Sequence, residues 1–140
     1  MIEAEKAAFN LVKFSVTSFS YNKSKKTQTK QLKLKFEPSG KYFSKEGRFD
    51  LSIDFMGYEE GSKRTPVLKM TCVAEFKFPS NLALEDIQPY FYTNSIAIVF
   101  PYLRSFISTL TLQANSGVIM LGLINFTNMA QPLKENTIIV

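Results

Sequence analysis

Through the first half of the chain, apolar and polar residues alternate with a period of two. Leu32, Leu34 and Phe36 alternate with Lys33, Lys35 and Glu37, and Phe49, Leu51, Ile53 and Phe55 with Asp50, Ser52 and Asp54. Further on, Leu68, Met70, Cys72, Ala74, Phe76 and Phe78 stand against Lys69, Thr71, Glu75 and Lys77. Such alternation marks strands that bury one face. An earlier run, FNLVKFSVTSFSY, is rich in aromatic and β-branched residues. Strict alternation there puts Phe9 and Leu11 on one face and Val12, Phe14 and Val16 on the other. The stretches NKSKKTQTKQ, EPSGKYFSKEG and GYEEGSKRTP have the polar, Gly- and Pro-containing composition of connections. Four successive strands with short links predict an antiparallel sheet covered on one side.

The period then changes. Leu103, Phe106, Ile107 and Leu110 recur at i, i+3, i+4 and i+7, the stripe of an amphipathic helix. Pro101 lies just before them, inside NSIAIVFPYLRSFISTLTLQ. Proline is tolerated in a first turn and costs about 3 kcal/mol deeper inside, so the regular helix is expected to start near Phe100. SIAIV would then enter as a separate turn or through a kink. ALEDIQ predicts a short helix ended by Pro89. Opposite the apolar stripe stand Ser105, Ser108, Thr109 and Thr111, with Arg104 as the only charge. Small hydroxyl side chains let another surface approach closely, so this face is a candidate subunit interface, an ordinary neutral solvent face being the alternative.

Composition narrows the function. A chain of 140 residues fits a single domain spanning 1–140. It contains no histidine, which removes the commonest general base and metal ligand and every Ser/His or Cys/His pair. The single Cys72 lies in a strand-like run and reads as a small core residue, consistent with a reducing compartment. The glycines build no phosphate loop, and Glu59-Glu60 and Glu85-Asp86 read as turn and helix-start residues. The expectation is a protein that is not an enzyme and needs no cofactor and no metal. The opening MIEAEKAAFN lacks the basic and apolar regions of a secretory leader, and the longest apolar runs, IAIVF and VIMLGLI, fall short of a membrane span. A cytoplasmic location is expected.

The order of these elements resembles that of the SecB-type export chaperones. The resemblance rests on Phe100-Pro101-Tyr102 followed by Arg104 near the start of a long helix, an irregular apolar segment GVIMLGLI, and Asn125-Phe126 opening a second helix. It implies an α+β fold: a four-stranded antiparallel sheet covered by one long helix and a short C-terminal helix. It also implies an ATP-independent holdase that binds unfolded polypeptides in an apolar groove, assembled as a dimer of dimers through the Phe-Pro-Tyr helix. Clients would be exported proteins or an antitoxin of a toxin–antitoxin system. Met120, Leu121, Leu123, Phe126 and Met129 are the candidate groove residues, with Arg104, Ser105, Ser108, Thr109 and Thr111 at the subunit interface. Flexible thioether side chains suit varied partners; burial in the core is the competing account.

Three features depart from that family. The net charge is +5 where its members are usually acidic. The positions matching its acidic contacts for the motor SecA are Val16, Ser20 and Cys72, so motor binding is not expected. The second helix meets Pro132 within two turns of Asn125. A different class of function stays open on charge alone. Lys23, Lys25, Lys26, Lys30, Lys33 and Lys35 fall within thirteen residues with no acid between them. The Lys23–Lys35 stretch could bind nucleic acid or an acidic partner electrostatically. Against nucleic acid, the loop lacks interleaved aromatics and arginine.

Overall fold

The computed structural model describes residues 1–4, 8–22, 32–59 and 65–140. Its strands are β1 (Asn10–Tyr21), β2 (Leu32–Phe43), β3 (Arg48–Glu59), β4 (Leu68–Lys77) and β5 (Thr137–Ile139). The helices are α1 (Pro89–Gln113) and α2 (Ala130–Glu135), with 3-10 turns at Leu84–Asp86 and Thr127–Met129. The five strands form one sheet in the order β1-β4-β3-β2-β5. The first four pair antiparallel, as their alternation predicts. β5 runs parallel to β2, with Gly40, Lys41 and Tyr42 beside Thr137, Ile138 and Ile139. The sheet is therefore mixed and five-stranded, not the expected four-stranded antiparallel one. A three-residue strand with both isoleucines exposed carries no alternation that sequence could reveal.

The expected apolar faces of β3 and β4 are all buried against α1. On β1 the expected parity fails. Register shifts between Leu11 and Lys13 and between Val16 and Ser18 each insert a residue, so Leu11, Phe14, Val16, Phe19 and Tyr21 all share the inward-facing rows. A bulge resets which side a strand shows, and the odd–even pattern of the sequence hides it. Phe14 then meets Tyr102, and Phe19 meets Phe106, at centroid distances of 5.6 and 5.3 Å.

α1 is one helix of 25 residues, with Pro89 in its first turn and Pro101 in its interior. The expected start near Phe100 is thus corrected. Pro101 has no N–H to give the Ala97 carbonyl, yet the helix carries through because nine of its residues are buried. Phe91 anchors its N-terminal half, with ring centroids 4.8 Å from both Phe9 and Phe49 and 5.0 Å from Phe78. Close by, the buried Tyr42 hydroxyl donates to the Leu82 carbonyl at 2.6 Å. By length and composition α1 could also cross a membrane; its packing on the sheet accounts for the same apolarity as that of a core helix. ALEDIQ supplies only the 3-10 turn, and Pro89 starts the long helix instead of ending a short one.

Candidate functional site

At the far end of α1 a different layer covers the sheet. Asn115 and Gly117, both at positive φ, reverse the chain, and the Tyr21 and Ser116 hydroxyls pair at 2.8 Å. The irregular segment 118–126 then runs back beside the helix. Its attachment is specific. The Ile119 N–H donates to Thr111 Oγ1 at 2.9 Å, and Ser108 Oγ donates to the Ile119 carbonyl at 3.1 Å. Thr111 Oγ1 in turn donates to the Ile107 carbonyl at 2.8 Å.

This clasp assigns two of the helix hydroxyls to the chain's own packing. Thr111, an expected interface residue, is fully buried in the chain itself, where its hydroxyl serves the segment. Ser108 is half-buried in the same clasp, and Arg104 is half-buried. Ser105 and Thr109 are exposed, on one stripe with Ile98, Tyr102 and Leu112.

Beyond the clasp the groove candidates divide. Leu121 retains 4% exposure and packs in the core. Met120 and Leu123 are 68% and 98% exposed. Phe126 and Met129 are half-buried. The Phe126 ring lies 5.0 Å from Phe100 and 6.3 Å from Phe36, and Phe36 lies 4.9 Å from Phe55. Phe36 continues into Leu34 and Leu32, also half-buried on the same face of β2. Gly57 sits across from Leu34; a Cβ there would come within 3.3 Å of Leu32 and 3.7 Å of Leu34. Among the described residues, β5 pairs only with Gly40–Tyr42, so the edge of β2 from Leu32 to Ser39 carries no partner strand. Leu32, Leu34, Phe36 and the clasp lie outside the 120–129 segment that the sequence singles out. Their alternation was legible, but which strand would be left half-covered was not.

The chemistry available is apolar. Among the described residues no group of three or more His, Cys, Asp or Glu could hold a metal ion. Cys72 is buried, and that burial pushes its thiol up to about 12, despite the opposing backbone hydrogen bond at Ile53. It is held as an unreactive thiol. The charged residues gather on the outer face, where Arg48 contacts Glu46, Asp50 and Glu75 at 2.8, 3.3 and 3.7 Å. Burial raises the Asp50 carboxyl above its ordinary range, with Arg48 opposing. Of the three positions matched to motor contacts, Cys72 is buried and Val16 lies on the inward row, while Ser20 is exposed. Lys23, Lys25, Lys26 and Lys30 lie outside the described residues; Lys33 and Lys35 are exposed on β2.

No protein-family model matches the chain. A stretch of 53 residues is 38% identical to an uncharacterized protein of Methanocaldococcus jannaschii, covering 38% of this chain and 34% of that protein. The chain thus matches about a third of the length of that relative. The structure is similar to the Mycobacterium tuberculosis SecB-like chaperone Rv1957, solved in complex with a ChAD peptide from the HigA1 antitoxin. The TM-score is 0.63 at 14% identity, over 84% of this chain and 91% of that one. The fold is SecB-like.

Proposed function

We propose that the protein is a chaperone of the holdase type, not an enzyme, which binds unfolded polypeptides without ATP along the groove between β2 and segment 118–126. The observation that carries this reading is the pair of large apolar side chains, Met120 and Leu123, left in solvent on the same segment whose Phe126 packs on Phe36 and Phe100. Exposing them costs solvation that a soluble chain ordinarily avoids in contiguous patches. Burial returns about 25 cal/mol per Å2 whatever sequence supplies the partner surface. Phe126 and Met129 line the groove in this reading, and Leu121 supports it from the core. The SecB-like neighbour's antitoxin peptide supports a polypeptide occupant. A cytoplasmic homo-oligomer, a dimer of dimers, with clients from protein export or a toxin–antitoxin pair, completes the proposal.

The test uses the exposed pair. Met120→Asp with Leu123→Asp should abolish the delay of aggregation of a denatured client, assayed without nucleotide. Circular dichroism should stay unchanged, because neither side chain is part of the core. A double variant that folds normally and still suppresses aggregation would place the client elsewhere. Wild-type protein that delays no client would end the chaperone reading.

A further inference from the structure

Charge is distributed unevenly over the outer face of the sheet. Pairing sets Lys35 opposite Met56, Met56 opposite Lys69, and Lys33 opposite Tyr58. The three lysines are exposed and Met56 and Tyr58 are half-buried between them. Lys35 Nζ stands 5.3 Å from the Tyr58 ring centroid, and the Tyr58 hydroxyl donates to the Met56 sulfur at 3.4 Å. Among the described residues none of the three lysines forms an ion pair. Among the described residues the nearest outward-facing acids, Glu37 and Asp54, begin the next row, and Asp54 already accepts a hydrogen bond from Thr71 Oγ1 at 2.7 Å. Farther along the face acids and bases mix, as at Lys41, Asp50 and Glu75. Asn22 and Val67 join backbones at this same basic end, as do Leu32 and Glu59. In sequence, the runs 23–31 and 60–64 between them add Lys23, Lys25, Lys26, Lys30, Lys63 and Arg64 against Glu60 alone.

We propose that Lys33, Lys35 and Lys69, around Tyr58 and Met56, form a docking surface for an acidic, extended polypeptide segment. Lys33 and Lys35 are two residues apart on one strand, about 6.8 Å, which is the spacing of alternate carboxylates on an extended peptide. Lys69, two strands over, offers a third charge about 10 Å away. The Met56 thioether adapts to whatever apolar residue lies between the acids. Nucleic acid fits less well. The Tyr58 ring is half-buried with Lys35 Nζ standing by it, and lysine gives a point charge without the planar fork of arginine. The surface lies on the opposite side of β2 from Leu32, Leu34 and Phe36, so it works whether or not the groove holds clients.

The experiment measures binding of a labelled peptide alternating glutamate with serine, and of a thymidine oligonucleotide of equal charge, by fluorescence anisotropy over a range of ionic strength. The peptide should bind more tightly, weakening as salt rises. Lys33→Ser with Lys35→Ser and Lys69→Ser should weaken peptide binding about tenfold at low salt, three modest contacts being lost together. Its melting temperature and aggregation-suppressing activity should not change. Lys69→Glu alone gives an independent check, and Lys41→Ser with Lys77→Ser, at the other end, should leave binding intact. Equal loss in that control, no loss in the triple variant, or tighter binding of the oligonucleotide would overturn the proposal.

Discussion

Two hydroxyls on α1 show how residues of similar chemistry take opposite parts. Ser95 is fully buried and its Oγ finds no hydrogen-bond partner among the described residues, whereas buried Thr111 is held by Ile107 and Ile119. An unsatisfied buried hydroxyl costs about 1–3 kcal/mol, and a satisfied one contributes about 1 kcal/mol net. Ser95→Ala should therefore stabilise the protein by about 1 kcal/mol. Thr111→Val keeps the shape but leaves the Ile119 N–H without its acceptor, and should destabilise by about 1–3 kcal/mol. Hydrogen exchange should show the amide of Ile119 opening much faster in that variant. Denaturant titrations giving both changes the same sign would contradict this account. Composition could not separate the two: the sequence shows small hydroxyls on a helix, and only the returning segment decides which one has work.

At the scale of the element, Pro101 is the plainest conflict between local preference and tertiary packing. Its solvent-exposed position inside α1 forgoes one backbone bond at a cost of about 3 kcal/mol. Burial of Ile96, Val99, Phe100, Leu103 and Ile107 on both sides of it holds the helix through. Pro101→Ala should raise stability by about 1–3 kcal/mol in chemical denaturation; a loss would mean that the proline itself is required for packing against β1. The periodicity of the sequence places the helix stripe correctly but its start eleven residues late, because the proline weighs locally and the sheet does not show. The inward rows of β3 and β4 were legible for the opposite reason: one residue in two was apolar without interruption. β1 defeated the same rule through its two bulges, and β5 is too short to have a period. Of the proposed groove, Met120 and Leu123 were legible as part of an apolar run, while the burial of Leu121, two residues past the clasp at Ile119, was not.

For the whole molecule, one exposed stripe of α1 bears on the proposed assembly. Ile98, Tyr102, Ser105, Thr109 and Leu112 recur at helical spacing, all exposed, with Tyr102 at 51% and Leu112 at 58%. Large apolar side chains flank small hydroxyls there, so a second copy could approach closely in the middle and bury the ends. Along the sheet, the outer edge of β1 also carries no partner strand among the described residues, and an open edge of twelve residues favours pairing. Thr109→Glu with Tyr102→Glu should shift the assembly toward monomer at micromolar concentration, since each would bury an unpaired carboxylate at the contact. Neither substitution touches the clasp at Ser108 and Thr111, so far-ultraviolet circular dichroism should remain that of the parent. Light scattering decides the matter. A wild-type monomer would remove the interface altogether, and a double variant that keeps the parent mass would move it from α1 to the β1 edge.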